Sequence, residues 1–148
     1  MKKIVVATNK KAFHEYNILE QFEAGIQLLG SEVKSIREGK ASLKQSYVLI
    51  RKGEAWLKGS HIASYSHTGY EGHDPIRNRK LLLHKKEIQK INSKLAEKGC
   101  TAIPTRMYIK GGFIKLEFGL AKGKKLYDKR ATKKKRDVER DIKRVMKI

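Results

Sequence analysis

The chain has 148 residues, 39% hydrophobic and 34% charged, with 35 basic against 15 acidic side chains and a formal charge of +20. That length fits one domain and a tail, no apolar run nears the roughly 20 residues a membrane span requires, and the lone cysteine, Cys100, excludes an internal disulfide and suits a reducing cytosol. So large a cationic excess goes beyond what internal ion pairing absorbs, and it points to a polyanionic partner, a structured nucleic acid.

Lys3–Thr8 (KIVVAT) is a β-branched run that predicts a first strand, and the N-terminal stretch lacks the cleavage pattern of a secretion signal. Asn9 is placed to cap one or two helical turns over Lys10–Tyr16. In Asn17–Leu29, Phe22, Ala24, Ile26 and Leu28 alternate, which predicts a strand with Gly25 as a possible bulge. Ser31 offers a cap for a short helix through about Glu38, stopped by Gly39. Ser46–Arg51 and Glu54–Gly59 flank Lys52-Gly53, the clearest hairpin in the chain. His61–Asn78 reads as a long irregular loop and Arg79–Leu83 as a short apolar strand. Lys85–Lys98 carries Ile88, Ile91 and Leu95 on one helical stripe, with Gly99 as its stop. Thr101–Lys110 and Phe113–Ala121 flank Gly111-Gly112, a second hairpin.

About six antiparallel strands with a few short helices define a mainly β, α+β protein. An OB-like β-barrel over residues 1–121 is the preferred form, because closure removes sheet edges and leaves a groove for oligonucleotides. An open α+β sandwich satisfies the same periodicities.

Motifs for chemistry are sparse. His61, His67 and His73 fall six apart, which matches no zinc spacing, so solvated or RNA-contacting histidine is the expectation and no metal or cofactor is. Cys100 sits between a helix stop and a strand, where a buried small hydrophobe is the default. No phosphate-cradling GxxxxGK[ST] and no strand–GxGxxG–helix unit occurs. The chain reads as a binder and not an enzyme, with RNA favoured over DNA because no recognition-helix motif is visible.

Residues 122–148 form a basic C-terminal tail with 13 basic and 4 acidic residues. Val138, Ile142, Val145 and Met146 follow a helical spacing, and Glu139 with Lys143 and Asp141 with Arg144 are favourable helical pairs worth roughly 0.2–0.5 kcal/mol each. So thin a stripe is marginal alone. The expectation is a tail disordered when free and helical inside an anionic channel; a helix packed back on the domain is the competing reading.

Taken in order, Asn9–Tyr16 (NKKAFHEY), Phe22–Gly25 (FEAG), Gly30–Lys40 (GSEVKSIREGK), Ser46–Leu49 (SYVL), Arg79–Leu83 (RKLLL) and Gly119–Arg130 (GLAKGKKLYDKR) resemble the small protein B family, the bacterial SsrA-binding proteins, from end to end. The resemblance implies a non-enzymatic, cytoplasmic partner of transfer-messenger RNA with an OB-type barrel. It further implies binding of the tRNA-like domain in place of a missing anticodon arm. Delivery to stalled ribosomes follows, with elongation factor Tu and alanyl-tRNA synthetase engaged through the RNA, and with the tail in the empty messenger channel. Carried over by motif, Asn9, His14, Glu23 and Leu82 belong to the RNA-binding surface or its support, with Lys115, Lys122, Lys124 and Lys125 beside it. Asp128, Lys129 and Arg130 fall at the decoding centre, and Val145 and Met146 further along the channel. Physically, the three tail-proximal lysines suit phosphates, Tyr127 suits base stacking, Leu82 suits support from the core, and Glu23 suits orienting a neighbouring lysine or accepting from base or ribose donors.

Two other classes remain open from sequence. A general ribosomal protein with a basic extension predicts no preference for one tRNA-like partner. An RNA-acting enzyme using His14 and Glu23 as a general acid–base pair requires both within reach of one scissile bond.

Overall fold

Side chains that alternate between buried and exposed build the frame of the molecule, described by a computed structural model over residues 2–64 and 72–123. Its strands are β1 (Lys3–Thr8), β2 (Tyr16–Ile26), β3 (Ala41–Ser42), β4 (Tyr47–Arg51), β5 (Glu54–Lys58), β6 (His61–Ile62), β7 (Arg79–Leu82), β8 (Cys100–Lys110) and β9 (Phe113–Gly123). The helices are α1 (Lys10–Glu15), α2 (Gly30–Arg37) and α3 (Lys85–Leu95). None is long and apolar enough to cross a membrane.

Seven strands form one antiparallel sheet in the order β1-β8-β4-β5-β7-β2-β9, and β9 pairs back onto β8. The inward residues of this run make the core: Phe22 and Ala24 from β2, Ala55 and Leu57 from β5, Leu81 from β7, Met107 from β8, Leu116 and Phe118 from β9. The Phe22 and Phe118 rings stack with centroids 5.6 Å apart. Ile36 of α2 and Ile91 of α3, both fully buried, seal the same core. Each such aliphatic or aromatic burial stabilises by roughly 1.5–3 kcal/mol.

Both predicted hairpins form. Lys52 (φ 52°) and Gly53 (φ 75°) share the left-handed region, the requirement of a two-residue turn whose twist matches the flanking strands. Gly39 at φ 76° ends α2 as expected.

Several local expectations are corrected. The irregularity of β2 lies between Ile18 and Glu20, opposite Ala121 and Leu120, and not at Gly25. Ser31 does not cap α2. Leu29 holds that position, Glu32 accepts its backbone N–H at 2.8 Å, and the Ser31 hydroxyl instead meets His73 Nδ1 at 2.8 Å. His73 is therefore buried, with Nε2 2.9 Å from the Ile62 carbonyl, and is not a solvated histidine. The stretch expected as loop also holds β6, paired with β3; His67 lies outside the described residues. The last strand runs on through Lys122 and Gly123. Half-buried Cys100 opens β8 and packs against the core.

A buried ion pair joins α2 to β7. Glu32 and Arg79 are both 0% exposed, with Nε donating to Oε2 at 2.6 Å. Arg77 donates to the other oxygen at 2.6 Å. Arg79 also donates to the Ser60 carbonyl and hydroxyl and to the Pro75 carbonyl. Burial pushes the Glu32 carboxyl up, but hydrogen bonds from Arg77, Leu29 and Arg79 outweigh it and hold it below its ordinary value. Burial lowers the Arg79 guanidinium. Three residues beyond Arg79, the same strand presents Leu82 to solvent.

Candidate nucleic-acid interface

Glu23 of β2, Lys115 and Glu117 of β9, and Arg106 and Lys110 of β8 gather on one face of the sheet around Tyr108 of β8, whose side chain is itself buried at 2% exposure. Register brings them together: Glu23 lies opposite Glu117, Glu117 opposite Arg106, and Lys115 opposite Tyr108. The Tyr108 hydroxyl donates to the Glu23 carboxylate, and Lys110 Nζ stands 3.5 Å from the same carboxylate. Lys3 Nζ lies 4.7 Å from the Tyr108 ring centroid, a cation–π contact from β1. Arg106 reaches Glu117 at 3.5 Å and caps the Phe13 ring at 5.2 Å.

The electrostatics of this cluster follow from its contacts. The Tyr108 hydrogen bond, with Lys110 and Lys3 nearby, holds the Glu23 carboxyl below its ordinary range despite some desolvation. Burial, reinforced by the Glu23 carboxylate, pushes the Tyr108 phenol well up. The Glu23 carboxylate thus accepts from the Tyr108 hydroxyl and pairs with Lys110. Lys3, Arg106, Tyr108 and Lys110 were missed from sequence; the signal was the spacing of 106, 108 and 110 along one strand.

Beside this cluster Gly25 pairs with Leu82 of β7 on one side and Lys115 of β9 on the other. A Cβ on Gly25 would stand 3.4 Å from Leu82 Cβ, so the glycine lets that side chain lie against the strand. A groove of about 560 Å³ opens here, lined by Glu23, Leu82 and Lys115 together with Lys80, His84 and Glu54. Leu82 is 55% exposed, whereas Leu81 is the core residue, so the expected support from the core gives way to an exposed apolar contact. Lys115 Nζ also sits 5.9 Å from the ring centroid of the exposed Phe113.

The remaining motif residues lie elsewhere. Asn9 is buried, its Nδ2 donating to the Pro104 carbonyl at 2.9 Å and its backbone N–H to the Thr105 carbonyl at 2.8 Å. It makes no side-chain cap on α1; it is a strut that ties the start of α1 to the irregular part of β8. Asn9 also borders a second cleft, of about 380 Å³, shared with Lys11, Tyr16, Gln45 and Tyr47. His14 is on α1, with a buried Nδ1 that has no hydrogen-bond partner among the described residues. Exposed Lys122 lies opposite Asn17 and Cys100. Lys124, Lys125, Tyr127, Asp128, Lys129, Arg130, Val145 and Met146 lie outside the described residues.

No hydrogen bond joins His14 to Glu23 among the described residues: the polar partners of Glu23 are Tyr108 and Lys110, and His14 Nδ1 has none. Among the described residues no cluster of three His, Cys, Asp or Glu side chains is arranged to hold a metal ion.

Known proteins resemble the chain over almost all of its length. The family model described as SmpB protein matches residues 6–148. The SsrA-binding protein of Sulfurihydrogenibium sp. (strain YO3AOP1) is 56% identical over 147 residues, covering 99% of this chain and 97% of that protein. The SsrA-binding protein of Geotalea uraniireducens (strain Rf4) is 54% identical over 142 residues, covering 96% and 94%. A solved structure described as "tmRNA-SmpB: a journey to the center of the bacterial ribosome" superposes with a TM-score of 0.68 at 44% identity, covering 80% of this chain and 84% of that one.

Proposed function

The chain belongs to the SmpB protein family, and from that premise we propose that it binds tmRNA, the SsrA RNA, and serves trans-translation on stalled ribosomes. Support for the partner comes from the SsrA-binding relatives and from the tmRNA–SmpB likeness. The observation that carries the placement of RNA is the groove in which Leu82 and Lys115 meet beside the Glu23–Lys110 pair. An exposed leucine offers a base or ribose an apolar surface, and lysine ammonium groups suit phosphates as point charges.

In this reading the domain is a small OB-like barrel, supported by the cycle of pairings β8-β4-β5-β7-β2-β9-β8. It grips the tRNA-like domain and takes the place of the anticodon arm, with Asn9 acting as internal support. Lys122, Lys124 and Lys125 continue the phosphate contacts and Tyr127 adds a stacking surface. Residues 128–130 then reach the decoding centre, and Val145 and Met146 follow in the messenger channel. The work is binding and delivery without catalysis, in the cytoplasm, with elongation factor Tu and alanyl-tRNA synthetase met through the RNA.

The test is equilibrium binding of the tRNA-like fragment against ordinary tRNA at several salt concentrations. Tighter binding of the tRNA-like fragment at every salt is expected; equal affinities would return the chain to the class of general basic ribosomal proteins.

A further inference from the structure

Three carboxylates, Glu23, Glu54 and Glu87, line the groove together with two lysines, Lys80 and Lys115. A wall so acidic repels a phosphate unless each acid is turned to a donor of its own. Glu54 pairs with Lys80 at 3.4 Å. Glu87 accepts the backbone N–H of His84 at the start of α3, at 3.4 Å. Lys115 enters no ion pair among the described residues; its charged end lies near the Phe113 ring alone. It is the cation the groove keeps for a ligand, provided that Glu23 leaves it alone.

Glu23 has the reach to neutralise it. Lys115 stands opposite Gly25 of β2 and opposite Tyr108 of β8. Glu23 is two residues along β2 from Gly25, so Glu23 and Lys115 are diagonal neighbours, about 7–8 Å apart for that geometry and within range of two long side chains. The carboxylate instead turns to Tyr108 and Lys110, both of which meet its Oε2. Of these two, Lys110 is a flexible ammonium that can follow a moving carboxylate. Tyr108 cannot follow. Its ring is buried, with Lys3 on its face at 4.7 Å from the centroid, so its hydroxyl marks a set position to which the carboxylate must come.

We infer that Tyr108 is a positioning residue of the groove: by holding the Glu23 carboxylate on its hydroxyl, it keeps that acid off Lys115 and leaves Lys115 to meet an RNA phosphate. Tyr108 itself touches no RNA in this arrangement. The inference rests on the groove being the RNA site proposed above. A neutral donor suits the task, because it fixes the carboxylate without consuming a cation that phosphates need. When the hydroxyl is removed, the carboxylate swings to the nearest ammonium groups, and Lys115 is one of them.

The experiment measures binding of the tRNA-like fragment to the full-length chain over a salt series, with urea midpoints recorded for each variant. In Tyr108→Phe the slope of log affinity against log salt is expected to fall by the same amount as in Lys115→Ala, roughly 0.7–0.9 for one phosphate left unneutralised. Adding Glu23→Gln to Tyr108→Phe restores the slope, because a carboxamide cannot neutralise Lys115. Combining Tyr108→Phe with Lys115→Ala loses no more slope than Lys115→Ala alone, since both changes silence the same charge. An unchanged slope in Tyr108→Phe or in Lys115→Ala overturns the proposal. So does a lowered slope that Glu23→Gln fails to restore, which would make Tyr108 a packing residue only, and so does an additive loss in the Tyr108→Phe/Lys115→Ala chain. Each variant is compared with the unsubstituted chain on the same RNA. Equal affinities for the tRNA-like fragment and ordinary tRNA would therefore sink the proposed function without altering the order of slopes, whereas slopes out of order sink the role of Tyr108 alone.

Discussion

Glu32 and Arg79, 47 residues apart in sequence, meet at 2.6 Å with neither side chain exposed to solvent. The pair fastens α2 to β7, and β7 carries Leu82 into the candidate groove. Glu32→Gln leaves a buried guanidinium without its anion, for which the expected loss is about 3–5 kcal/mol in urea or thermal unfolding. Replacing both partners by methionine is expected to cost distinctly less, because no lone charge is stranded. Equal losses for the two variants would remove the ion pair as the cause.

The same carboxyl sets an acid limit. Glu32 and Glu23 both sit below their ordinary value of 4.5 in the folded state. A depressed carboxyl contributes stability above its unfolded pKa, and that contribution is lost as pH falls through the folded one. The urea midpoint is expected to be level between neutrality and about pH 5 and to drop below it. In Glu32→Gln the drop is shallower; an identical acid limb in the variant refutes the assignment.

Tyr108→Phe removes the hydroxyl that donates to Glu23. A stability loss of about 0.5–1.5 kcal/mol is expected. The Glu23 carboxyl, followed by carbon NMR through an acid titration, rises toward its ordinary value. A Glu23 titration unmoved by this change shows that Lys110 and Lys3 alone hold it.

Lysines assigned to phosphates are read by salt. Lys110→Ala and Lys115→Ala are each expected to weaken binding of the tRNA-like fragment and to lower the slope of log affinity against log salt by roughly 0.7–0.9 per phosphate left unneutralised. An unchanged slope takes that lysine out of the phosphate interface, leaving Lys110 as a partner of Glu23 only.

Removal of residues 131–148 separates grip from ribosomal action. Affinity for the tRNA-like fragment is expected to stay close to that of the full chain, while peptide tagging on stalled ribosomes is lost. Tagging at full strength contradicts the role proposed for that segment.

What was legible in the sequence was local. Lys52-Gly53 and Gly111-Gly112 were readable as turns because each puts two successive residues at positive φ, a demand that few residue types satisfy. Gly39, at φ 76°, was readable as a stop for the same reason, whereas α3 already ends at Leu95 and Gly99, at φ 78°, belongs to the turn that leads into β8. The long-range pairings were not. β7 lies between β5 and β2, and nothing within RKLL announces that its arginine points inward to a helix residue while its second leucine points outward. Ser31 looked like a cap because capping is a local rule, yet its hydroxyl is engaged by His73, 42 residues on. Glu23 was singled out by motif, but its meaning depended on Tyr108, 85 residues away.

Gly123 ends β9 opposite Tyr16, while Lys115 lies on the same strand opposite Gly25. Eight residues of extended chain, about 26 Å at the usual rise, thus fix the span between the leucine–lysine groove and the root from which the cationic extension departs. Lengthening both strands of the β2–β9 ladder by one pleat would carry that root about 7 Å further from the groove.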